Sequence, residues 1–305
     1  MPSIFISTIP FASKNRDPIK LLEENGINYL INPLGRKVNE DEIKEYIENC
    51  DGLIAGTEPL NENVLSNAKN LKVISRVGVG TDNIDLDYAK RKNISIEISG
   101  NSLTNSVAEY TLSLILNVLK GIHQSNTLLK KGIWQKSIGR EISECNIGIV
   151  GAGKIGQKLI ELLDIFKPRS ISYFDPYIDL DSSIFKKTTL QNLLKESDIV
   201  SLHLPLTKDT ESLISKKEIE LMRKNSFIIN TSRGAIIDEY YLINALENKT
   251  IGGAALDVYT EEPYFGKLTK LDNCLVTPHN APMTEKARES MEYDAVLNVI
   301  KHLSS

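Results

Sequence analysis

The sequence predicts an α/β protein built from two doubly wound parallel-sheet domains, and three observations predict it. Short apolar, β-prone runs alternate along the chain with mixed polar and apolar helical stretches, the pattern of parallel strands covered by crossover helices. A length of 305 residues exceeds the usual size of one domain, so two units that each bury a core are expected. The third observation is the run Gly151-Ala-Gly-Lys-Ile-Gly156, placed where a buried strand, Asn146 to Val150, should turn into a helix opening near Ile155. In that context the run reads as a dinucleotide-binding loop. Gly151 permits a tight turn, Gly153 lets the backbone approach a pyrophosphate, and Gly156 lets the helix pack closely on its strand. Lys154 and Ile155 open the helix whose N-terminus faces the anion. A second strand, Ser170 to Phe174, ends at Asp175, 19 residues beyond Gly156. A carboxylate at that spacing accepts hydrogen bonds from the ribose hydroxyls of NAD and repels the 2′-phosphate of NADP, so the expected cofactor is NAD.

The elements follow in order. Strands of the first domain are expected at Ile4 to Ser7, Tyr29 to Asn32, Gly52 to Gly56, Val73 to Val77 and Ile94 to Ile98. A long helix from about Ser106 to Lys130 comes next, with Ala108, Leu112, Ile115, Leu116 and Leu119 on one face, and it reads as the crossover into the second domain. Six more strands follow, at Asn146 to Val150, Ser170 to Phe174, Ile199 to Leu202, Phe227 to Asn230, Gly253 to Leu256 and Cys274 to Val276, the count a dinucleotide-binding sheet requires. A last helix, Glu285 to Leu303, crosses back. The expected division is 1–99 with 285–305 for the first domain and 100–284 for the second.

Composition excludes several functions. With 36 basic and 40 acidic residues the formal charge is −4, and the absence of a basic run argues against a nucleic-acid partner. No run of about 18 apolar residues could span a bilayer, and no signal peptide opens the chain, so a cytoplasmic protein without a membrane partner is expected. Cys50, Cys145 and Cys274 are odd in number and far apart, which reads as inert thiols and no metal site.

In open α/β sheets ligands bind beyond the carboxyl ends of strands. Val77-Gly-Val-Gly80 follows one such strand; its glycines expose backbone N–H groups that suit a carboxylate, the alternative being an ordinary turn. Arg233, Glu262 and His279 each follow a strand of the second domain. Carbonyl reduction needs such a set: a cation for the substrate carboxylate and carbonyl, and an acid for the developing alkoxide, a role that suits a histidine beside a carboxylate. Each residue alone could be structural; together with an NAD loop they read as catalytic.

These residues together resemble a known family, the NAD-dependent D-isomer-specific 2-hydroxyacid dehydrogenases, particularly its phosphoglycerate dehydrogenase-like members. The resemblance runs over nearly the whole chain. It rests on Arg76-Val-Gly-Val-Gly-Thr-Asp-Asn83, Asn101, Val107-Ala-Glu109, Gly132-Ile-Trp134, His203-Leu-Pro-Leu-Thr207, Asn230-Thr-Ser-Arg-Gly234, Leu256-Asp-Val258, Glu262-Pro263 and Thr277-Pro-His279. It implies a Rossmann NAD-binding domain inserted in a flavodoxin-like substrate domain, with a cleft that closes over the ligands. By the same resemblance Arg233 binds the substrate carboxylate and carbonyl, His279 is the acid/base, and Glu262, which directly precedes the proline, orients it. Gly78, Val79 and Gly80, with Arg76 and Asn101 in the matching segments, bind substrate. Val107 touches the nicotinamide side and Asp257 its carboxamide, while His203, Pro205 and Thr231 belong to the cofactor site; Val107 as a buried helix residue and Asp257 as a strand-end cap stay open. A homodimer is implied as well.

Two departures bear on the substrate. Phosphoglycerate dehydrogenases carry an arginine for the phosphate after the third strand, where this chain has Gly56-Thr-Glu58; Arg36 and Lys37 could supply charge from a neighbouring loop or form a solvated turn. After His279 the usual Ile-Gly is replaced by Asn280-Ala281, followed by Pro282. The chain stops soon after the last helix, which predicts no C-terminal regulatory domain. The expected reaction interconverts a D-2-hydroxy acid and its 2-oxo acid, with 3-phosphoglycerate, glyoxylate or hydroxypyruvate as candidates. The rival is a nicotinamide-sensing binding protein related to transcriptional corepressors.

Overall fold

The structure, a computed structural model, describes residues 1–100, 103–180 and 184–304. The chain divides into two compact units, Met1–Leu103 with Met283–Ser305, and Thr104–Pro282. These bounds lie a few residues from the expected ones.

In the first unit five parallel strands, β1 (Ser3–Ile6), β2 (Asn28–Ile31), β3 (Gly52–Ala55), β4 (Val73–Val77) and β5 (Ser95–Ser99), lie in the order β2-β1-β3-β4-β5. That is the flavodoxin-like order, with its topological switch point between β1 and β3. The central strands β3 and β4 are buried along their whole length, β3 as an apolar run and β4 with Ser75 and Arg76 buried among its apolar residues, whereas edge strand β2 alternates. The crossovers are α1 (Asp17–Glu24), α2 (Glu40–Ile47), α3 (Glu62–Leu65) and α4 (Leu86–Arg91). Their starts are written locally: Pro18 sits in the first turn of α1, Asn39 and Glu42 form a capping box on α2, and Asp85 caps α4.

The expected single helix before the second sheet is two helices, α5 (Leu103–Lys120) and α6 (Ile122–Lys130). They break at Gly121, whose φ of +61° is left-handed and favours glycine. Helix α5 packs Ala108, Leu114, Ile115 and Leu119 into the second core, but α6 buries no residue.

The second unit holds a sheet of seven parallel strands, β6 (Asn146–Val150), β7 (Ser170–Phe174), β8 (Phe185–Lys187), β9 (Ile199–Leu202), β10 (Phe227–Asn230), β11 (Gly253–Leu256) and β12 (Cys274–Val276). Their order is β12-β11-β10-β9-β6-β7-β8, the Rossmann arrangement with one strand more than the six expected. The extra strand, β8, is a three-residue edge strand carrying two exposed lysines, too short and too polar for its periodicity to register. Helices α7 (Lys154–Asp164), α8 (Leu190–Glu196), α9 (Lys216–Leu221) and α10 (Glu239–Glu247) cover this sheet, and α11 (Glu285–Leu303) returns to pack on β3, β4 and β5 of the first unit. Among the described residues no helix is long and apolar enough to cross a membrane.

Candidate active site

The strand order reverses between β6 and β9, and the loops leaving these two strands touch. Gly151, directly after β6, has φ +98°, and a Cβ there would stand 2.4 Å from the His203 carbonyl oxygen after β9. A Cβ at Gly156 would stand 2.2 Å from the Gly151 carbonyl oxygen, so this glycine lets α7 pack against its own strand. A Cβ at Gly153 would meet nothing within 4 Å. Two glycines are thus fixed by protein contacts, and the third leaves open space at the start of an 11-residue helix, where α7's unpaired N–H groups suit a pyrophosphate. Lys154 opens that helix on the exposed side, and Ile155 is half-buried behind it. The cradle fits a dinucleotide.

Asp175 ends β7 with its carboxylate buried. One oxygen accepts the Ala152 N–H at 2.9 Å; the other accepts those of Tyr177 at 2.9 Å and Ile178 at 3.0 Å. This one side chain ties the glycine loop to the loop after β7. The His203 ring meets the Ser201 hydroxyl at 2.9 Å, and burial pushes it down to about 4, so it is neutral near pH 7. Pro205 is exposed two residues on, its carbonyl taking the Thr210 hydroxyl. Thr231 is buried and meets Thr111 of α5 at 2.9 Å, while Thr111 also bonds the Val107 carbonyl; Val107 itself is buried.

The three expected catalytic residues sit on turns after β10, β11 and β12. Asn230 folds the first turn: its carbonyl oxygen accepts from the Ser232 N–H and hydroxyl at 3.0 and 2.8 Å, and its amide donates to the Arg233 carbonyl at 2.8 Å. Arg233 is partly buried and donates to the Ser232 carbonyl at 2.7 Å. Next to it, a Cβ at Gly234 would stand 2.0 Å from the Tyr259 carbonyl carbon, so glycine alone allows the β10 turn to lie on the β11 turn. The latter carries Glu262, whose Oε1 accepts the Tyr259 N–H at 3.1 Å and whose Oε2 lies 2.8 Å from Nδ1 of His279. Both side chains are about 30% exposed (30% and 29%), which leaves solvent and a substrate access to the pair. A charged partner on Nδ1 fixes the tautomer and leaves Nε2 to exchange a proton.

Asp257 holds the turn that presents His279. It is fully buried, and it accepts from the Thr277 hydroxyl at 2.6 Å and the backbone N–H groups of Asn280 and Ala281, both at 2.8 Å. Burial raises its pKa, and these three donors oppose the rise. In this structure it is a strand-end cap with no exposed carboxylate. His279 has φ +54°, a conformation costing a non-glycine residue about 1 kcal/mol or more, and these bonds hold it there. Helix α5 adds a bond from Ser106 Oγ to the Ala281 carbonyl at 2.7 Å. Ser106 and Thr111 carry no motif signal in the sequence; only the folded chain shows that they join the turns after β12 and β10.

In the first unit, Arg76 is buried at the end of β4 with its guanidinium on the Val77 carbonyl. Gly78 has φ +137°, receives the Ser99 N–H on its carbonyl at 3.2 Å, and is followed by an exposed Val79 and a half-buried Gly80. These four residues lie together; Asn101 lies outside the described residues. After β3, the Glu58 carboxylate is buried and accepts the Gly56 N–H at 3.0 and 3.1 Å and the Ser7 hydroxyl. Arg36 is engaged in a forked pair with Glu42 at 2.5 and 2.9 Å, which holds the Glu42 carboxyl down to about 2.

Among the described residues no cluster of His, Cys, Asp and Glu could hold a metal ion. The three cysteines are free, and burial raises their thiols, Cys274 to about 12.

The family model described as D-isomer specific 2-hydroxyacid dehydrogenase, NAD binding domain, matches residues 112–281. A D-3-phosphoglycerate dehydrogenase of Methanocaldococcus jannaschii is 36% identical over 285 residues, covering 90% of this chain but 53% of that protein, so the chain spans about half the length of that relative. A glyoxylate reductase of Thermococcus litoralis is 36% identical over 270 residues, covering 84% of this chain and 81% of that enzyme. The solved D-lactate dehydrogenase of Aquifex aeolicus, complexed with NAD and lactic acid, superposes with a TM-score of 0.85 at 26% identity, covering 97% of this chain and 94% of that one. A matching family model over more than half of the chain, relatives this similar, the glycine cradle and the sheet order agree: the chain belongs to the NAD-dependent D-isomer-specific 2-hydroxyacid dehydrogenases, an oxidoreductase family, and its seven-stranded unit is that family's NAD-binding domain.

Proposed function

We propose that this protein interconverts a D-2-hydroxy acid and its 2-oxo acid, with NAD as hydride acceptor or, reduced, as donor. The observation that carries the reading is the His279 Nδ1 to Glu262 contact at 2.8 Å, on turns packed against the one bearing Arg233. In oxidation, Nε2 of His279 takes the hydroxyl proton, and the Glu262 carboxylate stabilises the imidazolium that forms. Arg233 holds the substrate carboxylate and polarises the C2 oxygen. The glycine loop and the start of α7 would hold NAD, which when bound would supply the hydride acceptor that C2 needs. Gly78 to Gly80 in the first unit offer backbone donors of the kind a carboxylate takes, and Val107, His203, Pro205, Thr231 and Asp175 line or shape the cofactor site.

Two observations favour an unphosphorylated substrate. The loop after β3 presents a buried glutamate where a phosphate-binding arginine would stand, and Arg36 is already occupied by Glu42. We therefore favour a small 2-oxo acid such as glyoxylate or hydroxypyruvate over 3-phosphoglycerate. The deciding experiment is a panel of 2-oxo acids, with and without phosphate, followed by loss of NADH absorbance. Turnover of the phosphorylated members alone would reverse the substrate assignment. No turnover with any member would favour a nicotinamide-sensing binding protein.

We further propose a cytoplasmic homodimer with no nucleic-acid or membrane partner, in line with the net charge of −4. The dimer is supported by α6 and the segment after it, where Ile122, Leu129, Ile133, Trp134 and Ile138 are exposed by 46% or more. Large apolar side chains so close together suit a partner surface. Sedimentation should give a dimer, and Trp134→Glu should give monomers; a monomeric wild type would reject the proposal.

A further inference from the structure

The side chain of Tyr259 has no part in the roles above, yet it lies where the turns bearing Glu262 and His279 diverge. Strands β11 and β12 are paired as far as Leu256 and Val276, and one further bond runs from the Thr277 N–H to the Leu256 carbonyl at 2.9 Å. Just beyond it the half-buried Tyr259 folds back over the strand ends. Its hydroxyl reaches the carbonyl oxygens of Thr277 at 3.0 Å and Leu256 at 3.1 Å. Both partners can only accept, so the phenol donates, and burial, which raises its pKa, keeps the proton in place. The ring is stacked on that of Tyr264, centroids 4.3 Å apart, and the Tyr264 hydroxyl donates to Glu239 at 2.6 Å.

The same residue meets the catalytic pair from two sides. Its backbone N–H donates to Glu262 Oε1 at 3.1 Å, and Glu262 Oε2 lies 2.8 Å from His279 Nδ1. The His279 N–H, directed at the Asp257 carbonyl at 2.8 Å, also reaches the Thr277 carbonyl at 3.1 Å, the oxygen that takes the Tyr259 hydroxyl. A circuit of hydrogen bonds therefore closes, from Tyr259 to Glu262, to His279, to Thr277 and back to Tyr259. Shear between the two turns must strain several members of such a ring at once.

We propose that the Tyr259 hydroxyl is a positioning group that sets the spacing of the Glu262 and His279 turns, and with it the contact between those two side chains. The proposal rests on the reading of His279 as the acid/base. Asp257 secures the His279 turn, and Tyr259, two residues on, carries the restraint out to Glu262. The imidazole is displayed on a left-handed residue, so small movements of its turn swing Nε2 through the distances on which proton transfer depends.

The test uses the full-length chain. Tyr259→Phe keeps the ring and removes the hydroxyl, and both carbonyls retain a backbone donor, so Tm should stay within about 5 °C of wild type. Its kcat should fall about 5- to 20-fold, with KM for NADH changed less than about 2-fold. In a Glu262→Ala background, where no contact is left to hold, the same change should cost less than about 2-fold. The His279 Nδ1 signal, assigned by its loss in His279→Gln, can be followed by NMR without turnover and should move in Tyr259→Phe. The signal of His302, which meets Glu97 at 2.8 Å in the first unit, should stay in place. A kcat within about 2-fold of wild type, or equal losses in the two backgrounds, would overturn the proposal. So would a larger loss of Tm or a His302 signal that moves as far as that of His279, since the hydroxyl would then support the fold at large. If the wild type reduces no 2-oxo acid, the acid/base reading fails, and the NMR comparison alone decides the positioning: an unmoved His279 signal overturns it.

Discussion

Replacing Gly234 by alanine should disable the site without touching any side chain assigned to chemistry. The added Cβ would stand 2.0 Å from the carbonyl carbon of Tyr259, and 2.4 Å from both the Tyr259 Cα and the Thr260 nitrogen. All three are backbone atoms, so no rotamer change relieves the clash. Ordinary contact begins at 3.4 Å, so the β11 turn and the Arg233 turn must separate by more than 1 Å. Glu262 rides on that turn, two residues past Thr260, and its carboxylate reaches His279 at 2.8 Å. A displacement of more than 1 Å carries that distance past 3.5 Å, beyond a hydrogen bond. Misplacement on this scale costs about 100-fold in turnover, and overpacking costs about 1–3 kcal/mol, or roughly 5 °C in Tm for a unit of this size. NADH binding, which depends on the distant glycine loop, should change less than about 3-fold. Steady-state kinetics, NADH fluorescence titration and thermal denaturation separate the three quantities. A Gly234→Ala enzyme with kcat/KM within 3-fold of wild type would refute the idea that close backbone packing sets the catalytic geometry.

His279→Gln should slow turnover by roughly 10²- to 10⁴-fold while NADH still binds, and full activity with every accepted substrate would remove His279 from the acid/base role. Asp175→Ala should weaken the preference for NAD over NADP and cost about 2 kcal/mol of stability, because three backbone N–H groups lose their acceptor; an unchanged cofactor ratio would place ribose recognition elsewhere. His203 is held near 4 in the folded chain against an ordinary 6.5, so the unfolded chain takes up a proton that the folded one refuses. Its stabilising contribution is complete above pH 6.5 and drains away as pH falls toward 4. His203→Asn should therefore flatten the Tm profile across that window, and an unaltered slope would mean that other groups govern it.

Local rules carry the parts of the fold that sequence displays. The three glycines of the dinucleotide loop have separate jobs, and each is met: a positive φ at Gly151, open space at Gly153, close packing at Gly156. Glu262 before Pro263 and the histidine after β12 each follow a strand by a few positions, and the fold brings their side chains to 2.8 Å. What stayed hidden depends on distance along the chain. Ser106 meets Ala281 across 175 residues and Thr111 meets Thr231 across 120, with no periodicity to announce either. Edge strand β8 has one apolar residue in three, and Gly121, unremarkable inside an apolar helical pattern, divides that pattern in two. Arg36 looked available for a phosphate because a sequence does not display the partner six residues away that claims it.

Asp257 grips the two residues after His279 through their backbone N–H groups, which any amino acid except proline supplies. The fold of the catalytic turn is thereby insulated from the identity of the side chains it carries. Mutational drift at position 280 can be tolerated without losing the histidine's backbone conformation. Residues other than proline at 280 and 281 should therefore leave the strained turn that displays the imidazole intact.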